Sequence, residues 1–328
     1  MADLDINSVQ QTQTATPQLS SDTLNRINTR LSEIDSKSNV WSEYKKYDTN
    51  NNGSLSDETF TNQTLYELGQ SLGIVSDGEI QPTKQGDVGD CWLLGGVNGL
   101  AQTDWGKEAI SEAIDGNHAG TAEDPYTVTL YDSEGNKKSI QVTNEDIENY
   151  GLDDKKYSSG DIDMNLLEVA VNKYFQEEIE AGRLDRNIND PMEGNIGTGV
   201  YSTNYLLTGR TGQGITKVDI LPENANIYSK MTDDNLLDAL NTFADNPSNV
   251  SMTCGFKERS WFQKTFGTTS AGEQSTNHAY TITNVNKNPA GEIISISYTN
   301  PWDSGKEYTV PYKTFCDRVI DLSYITNE

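Results

Sequence analysis

Histidine is nearly absent from this chain, which has two in 328 residues. Cysteine is almost as scarce: Cys91, Cys254 and Cys316 form an odd, widely spaced set. Such a set matches neither a disulfide framework nor a zinc pattern, so the chain is expected to fold without disulfides. Basic residues are outnumbered, 24 against 50 acidic ones, for a formal charge of −26. That field repels phosphates and argues against nucleic acid as a partner. It favours solubility and cationic partners, and says nothing about fold. No run of roughly 18 apolar residues exists, so no membrane span is expected. The start, Met1-Ala-Asp-Leu-Asp-Ile6, has neither the positive region nor the apolar core of a secretory leader. The expected address is cytoplasmic, or outside the cell by another export route that the polar N-terminal tail would serve.

What is there suffices for one large domain or two smaller ones. Residues 1–22 are rich in Gln, Thr and Ser and are expected to be disordered. A helical segment follows over 23–74, with an amphipathic helix predicted at 21–37 on Leu24, Ile27, Leu31 and Ile34. Residues 117–125 and 186–199 read as surface loops. From 75 to 212 the signals are mostly helical: 92–100, and 163–180 with Leu166, Val169, Ala170 and Tyr174 on one face. One hairpin, 126–131 with 138–142, interrupts them. From 213 to 328 strands dominate, at 249–256, 279–285, 293–299 and 308–310. The predicted fold class is α+β, a helical half followed by an antiparallel β half.

One stretch carries chemistry. Gln85-Gly-Asp-Val-Gly-Asp-Cys91-Trp-Leu-Leu-Gly-Gly96 puts a cysteine where a turn becomes a helix. Gly86 and Gly89 open backbone conformations closed to most residues. Unpaired N–H groups and the positive dipole end at a helix start are expected to lower the thiol pKa, and the thiolate is the nucleophile. Such a cysteine needs a base. His118, in Asp115-Gly-Asn-His-Ala-Gly120, reads as a solvated loop residue. His278 instead opens a strand that a hairpin connection at 286–292 joins to the next. Pairing Ile282 with Ile296 matches the apolar faces, sets Tyr280 opposite Tyr298, and puts His278 directly opposite Asn300. Opposed residues have Cβ atoms about 5 Å apart. The Asn300 amide oxygen can then accept from one imidazole nitrogen and leave the other for the thiol.

Taken in order, these motifs resemble the calpain family of cysteine peptidases, a branch of the papain-like enzymes. Gln85-Gly-Asp-Val-Gly-Asp-Cys91-Trp-Leu-Leu94 is similar to the family's nucleophile motif, His278-Ala-Tyr-Thr-Ile-Thr283 to its histidine motif and Asn300-Pro-Trp302 to its asparagine motif. Residues 166–174, 206–209 and 310–316 resemble further core segments, so the likeness covers roughly 75–328. It implies a papain-like fold of two subdomains, 75–212 with the nucleophile and 213–328 with histidine and asparagine. In that scheme Cys91 is the nucleophile, His278 the general acid–base and Asn300 its orienter. Gln85 is the oxyanion donor, beside the Cys91 backbone N–H. Trp302 shields the His278–Asn300 bond, whereas Trp92 is a packing residue. The implied activity is endopeptidase cleavage of extended protein or peptide segments through a thioester. Another acyl transfer on the same triad (deamidation or transamidation) and a non-catalytic peptide-binding protein are the alternatives. No oligomeric state follows.

Departures from the family point to regulation. Gly95-Gly96 stands where relatives usually carry Ala-Ala, and Gly99 adds a third glycine. Each costs roughly 1 kcal/mol of helix propensity, which close packing on the shared Gly95–Gly99 face would offset. Pro82 stands three residues before Gln85, where relatives commonly have an aspartate calcium ligand. Glu168 keeps the family's glutamate position, but the long acidic loop after Trp302 is missing. The core is therefore expected to need no cofactor, and calcium weakly or not at all. Asp48, Asn50, Asn52 and Ser54 follow an EF-hand loop through Gly53, yet its last position is Thr59, with Glu58 one place early. That is a weakened calcium site, or else an Asn-Gly-rich turn between two short helices. The resemblance ends with the core, so the family's C-terminal regulatory modules are not expected here, and the Asn-rich composition leans toward a bacterial source.

Overall fold

A computed structural model describes residues 19, 21–34, 38, 40–55, 58–149, 156–185, 191–192, 199–218, 227–256 and 278–327. Almost all of the tail 1–22 and most of the loop 186–199 lie outside the described residues. The chain divides into two compact units, Met1–Leu72 and Gly73–Glu328.

The first unit holds α1 (Ser21–Glu33), α2 (Trp41–Tyr44) and α3 (Asn62–Ser71). The helix predicted over 21–37 ends at Glu33, and Ile27, Leu31 and Ile34 are buried as its spacing requires. Thr61 caps α3 by accepting from the Thr64 N–H at 3.1 Å. The Tyr44 hydroxyl donates to the Ser71 carbonyl at 2.9 Å, closing α2 onto the end of α3.

The second unit begins with α4 (Cys91–Leu100), α5 (Asp104–Ala113), β1 (Ile114–Asp115), β2 (Tyr126–Tyr131), β3 (Lys137–Val142), α6 (Asn144–Glu148), α7 (Ile162–Glu180) and α8 (Thr203–Thr208). Thr103, Thr143, Asp161 and Ser202 cap α5, α6, α7 and α8. β1–β3 form an antiparallel sheet, one strand more than the predicted hairpin. The stripe predicted on 163–180 is too narrow. α7 is buried nearly all round, with Asp163, Asn165, Glu168, Asn172 and Glu178 inside as well. Each acid is compensated by hydrogen bonds. Asp163 accepts from Ser76 Oγ and the Asp77 and Gly78 N–H groups, and Glu178 takes a two-pronged contact from Arg183. Leu93, Leu94 and Val97 of α4 join Leu166, Leu167 and Phe175 of α7 in one apolar core.

Then come β4 (Gln213–Thr216), β5 (Tyr228–Lys230), α9 (Asp233–Asp245), β6 (Val250–Phe256), β7 (Ala279–Lys287), β8 (Ile293–Asn300), β9 (Asp303–Pro311), α10 (Tyr312–Arg318) and β10 (Val319–Thr326). The described strands order as β5-β4-β10-β6-β7-β8-β9, antiparallel throughout except β4 with β5. The whole is a mixed α+β fold. Tyr280 and Ile282 of β7 pack with Leu240, Phe243 and Phe315 of α9 and α10 in a second core. α4 lies against β6 and β7. There the Thr281 hydroxyl donates to the Gly95 carbonyl at 2.7 Å. Residues 280–282 are therefore buried without alternation, because helices cover both faces.

Of the two glycines on this face, Gly99 is the one the approach requires: a Cβ there would meet Ser251 Oγ at 2.6 Å, whereas one at Gly95 would meet that of Ala279 at an ordinary 3.5 Å. Gly96 turns instead to α8, where a Cβ would lie 2.5 Å from Thr203 Cβ.

The β7–β8 register differs from the expected one. Thr281 pairs with Thr299 and Ile282 with Tyr298; beyond a bulge at Thr283, Val285 rather than Ile282 faces Ile296. Beside His278 the ladder is thus offset by two residues from the expected register. Side chains alternate with period two, so an offset of two keeps every side chain on its expected face, whereas one residue would reverse them all.

Candidate active site

Residues 82–90 lead into α4 and are held along both edges. On one edge Lys84 and Ser159 exchange backbone bonds of 2.9 Å, and the Asp87 N–H donates to Lys156 O at 2.9 Å. On the other the Gln85 N–H donates to Pro301 O at 2.8 Å. A Cβ at Gly86 would lie 2.1 Å from Lys156 O and 2.3 Å from Tyr157 O, so this crossing admits only glycine. Cys91 is then the first residue of α4, 8 % exposed, and its Sγ accepts from the Ala279 N–H at 3.4 Å.

His278, the residue before Ala279, bonds through Nε2 to Asn300 Oδ1 at 2.7 Å, with both side chains buried. The Trp302 N–H also donates to Asn300 Oδ1, at 3.0 Å. A backbone N–H accepts no bond, so it fixes which end of the Asn300 amide is oxygen. That oxygen requires the proton on His278 Nε2 and leaves Nδ1 as the unprotonated ring nitrogen. The Trp302 ring lies 4.5 Å from that of His278 and covers it, while itself staying 45 % exposed. Trp92, as expected of a packing residue, stacks on Phe175 and donates to Met192 O at 3.2 Å.

The expected lowering of the thiol pKa is overturned. Burial pushes Cys91 up to about 11, and the adjacent Asp90 carboxyl adds to the rise. The Ala279 N–H and the helix-start N–H groups oppose it and lose. Burial also lowers the His278 pKa, partly offset by the Asn300 bond. Both shifts favour the neutral forms, a thiol and an uncharged imidazole.

Gln85 makes contacts that its motif did not reveal. Its Nε2 donates to Val88 O at 2.7 Å and to Asp90 Oδ1 at 3.2 Å. Both amide hydrogens are therefore in use. Asp90 is fully buried at the N-cap of α4 but makes no cap bond, because its side chain turns to Gln85. Burial, and then Glu168 nearby, hold its carboxyl well above the usual range.

Glu168, expected from the resemblance as a calcium ligand, is buried and its pKa is raised by burial. Its oxygens accept from the Ser158 N–H at 3.0 and 3.2 Å, from Ser158 Oγ at 2.5 Å and from Asn165 Nδ2 at 3.0 Å. In the other calcium candidate, Asp48 accepts from the Asn52 and Gly53 N–H groups, Asn50 from Asn52, and Asn52 from the Ser54 N–H. Glu58 folds back onto Thr49 Oγ1 at 2.5 Å and the Asn50 N–H at 3.0 Å. Among the described residues no three His, Cys, Asp or Glu side chains gather as a metal-ligand group.

His118 stands apart in its loop. Its Nδ1 bonds Asp124 at 2.6 Å and its Nε2 lies 3.4 Å from Asp115. Cys254 is a packed strand residue and Cys316 sits in α10. Among the described residues no helix is long and apolar enough to cross a membrane. Compared with models of protein families and with curated proteins, the chain matches none.

Proposed function

We propose that this protein is a cysteine endopeptidase with a papain-like division of labour, calcium-independent or weakly calcium-dependent. The observation that carries this reading is the Asn300–His278 pair, its tautomer set by the Trp302 N–H, at the residue whose neighbour's N–H touches the Cys91 sulfur. In this reading His278 Nδ1 takes the Cys91 proton as Sγ attacks a peptide carbonyl. It returns the proton to the leaving amine, and water then hydrolyses the thioester. Asn300 keeps the ring oriented through both proton transfers. The developing oxyanion would draw on the Cys91 backbone N–H and on one hydrogen of the Gln85 amide. The longer Gln85 contact, 3.2 Å to Asp90, is the one to yield. The helical half supplies the thiol and the β half supplies the base, with α4 packed between them.

The weak role for calcium rests on what each candidate ligand already holds. Glu168 is occupied by Ser158 and Asn165, and Pro82 lies where a ligand is missing. The test is proteolysis of an unfolded protein substrate by wild type and Cys91→Ala, each with and without chelator. Cleavage by the wild type alone, unchanged by chelator, is expected. Equal cleavage by both proteins removes the peptidase reading, and loss with chelator restores calcium.

A further inference from the structure

Ser304 is not a member of the triad, yet it is bound to the segment that leads into the cysteine. Its Oγ accepts from the Thr83 N–H at 2.7 Å and donates to Thr83 O at 3.0 Å. Its own N–H donates to Thr83 O at 2.9 Å. Thr83 is 1 % exposed, so these bonds are shielded from competing water. Two residues on, the Gln85 N–H donates to Pro301 O. The stretch 83–85 is thus clasped at two points to residues 301–304, which follow Asn300 and comprise the turn at 301–302, with Trp302, and the start of β9. Partners 221 residues apart in sequence become one ribbon, with the oxyanion donor at one edge and the His278 orienter at the other.

We infer that Ser304 is a positioning residue: by clasping Thr83 it sets Gln85 in register with the His278–Asn300 pair. The inference rests on the peptidase reading and adds to it a residue that no motif names. The hydroxyl is needed because one side chain both accepts from the Thr83 N–H and donates to the Thr83 carbonyl. Alanine keeps only the backbone bond from residue 304, and the strap can then slide relative to the turn. Threonine keeps the hydroxyl. A misplacement of about 1 Å in a reacting group can cost roughly a hundredfold in rate. Nucleophilicity of the thiol itself does not depend on the clasp.

The experiment compares Ser304→Ala and Ser304→Thr in the full chain, alone and combined with Gln85→Ala. Peptide hydrolysis, iodoacetamide alkylation of Cys91 and hydrogen exchange of residues 83–87 are read in parallel. Ser304→Ala is expected to lower kcat roughly tenfold to a hundredfold with little change in KM. Alkylation should keep the wild-type rate, since it forms no oxyanion, and the 83–87 amides should exchange faster. Ser304→Thr should restore both turnover and protection. In the Gln85→Ala background, Ser304→Ala should cost nothing further. Wild-type turnover by Ser304→Ala, or losses that multiply in the double variant, overturns the inference. Failure of the peptidase reading looks different: wild type and Cys91→Ala cleave alike while Ser304→Ala still frees the 83–87 amides.

Discussion

His278 and Asn300 are hydrogen-bonded at 2.7 Å although the ladder does not set them opposite each other. The pairing of Thr281 with Thr299, continued, carries His278 past Asn300 toward Trp302. The side chains meet on a diagonal of one sheet face, a separation aromatic and long side chains can bridge. The hydrogen bond therefore depends on the turn at 301–302 as much as on the strands.

Removing the amide tests that bond. Asn300→Ala should lower kcat by about 10²-fold through loss of ring orientation. The acid limb of the rate profile should also move. Burial lowers the His278 pKa and the Asn300 bond partly raises it back. Without the amide the pKa falls further, so the base stays unprotonated, and the residual activity persists, to lower pH than in wild type. An acid limb that moves upward counts against Asn300 as the partner.

The buried thiol has its own signature. With Cys91 pushed up to about 11, alkylation of the resting protein should climb about tenfold per pH unit through the neutral range. It should level off only near that value. A plateau below pH 7 would mean that a thiolate–imidazolium pair, not the neutral pair, is the resting state.

The glycines of α4 separate by what they face. Gly95→Ala meets only ordinary contacts, Ala279 Cβ at 3.5 Å and Thr281 Oγ1 at 3.9 Å, so it should stabilise by about 1 kcal/mol through helix propensity. Gly96→Ala drives a methyl into Thr203, whose three nearest atoms lie 2.5, 2.6 and 2.9 Å away. β-Branched threonine cannot rotate clear, so a loss of about 1–3 kcal/mol is expected. Denaturant unfolding of the two variants gives opposite signs if α4 is packed as described.

The loop at His118 should show a pH-linked stability. The Asp124 bond, then desolvation working against it and the Asp115 contact, leave its pKa raised. A raised folded pKa means this contribution is fully present below the unfolded value of about 6.5. It is lost as pH rises through the folded value. The difference in unfolding free energy between wild type and His118→Gln should therefore shrink with increasing pH across that window. A difference that grows with pH would contradict the ion pair.

The elements legible in the sequence are those with local signals. Apolar spacing and turn residues marked α4, α7, the 126–142 hairpin and the β6–β9 run, because periodicity and turn chemistry act within a few residues. Short edge strands such as β1 and β5 carry too few residues to show a period. The all-round burial of α7 was not legible either, since only one apolar face is marked by its spacing and the partners that bury its polar residues, Ser76, Ser158 and Arg183 among them, come from outside the helix.

The same division runs through the candidate site. Cys91 at a helix start, His278 opening a strand and Asn300 closing its neighbour could be found by local pattern, since turn glycines and strand alternation are properties of contiguous residues. The offset register, the thiol raised rather than lowered, the Gln85 amide turned to Asp90, and the Ser304–Thr83 clasp could not. Each depends on how deeply a group is buried or on a partner brought from far along the chain, and burial and long-range pairing exist only once the two cores have closed and α4 has packed against β6 and β7.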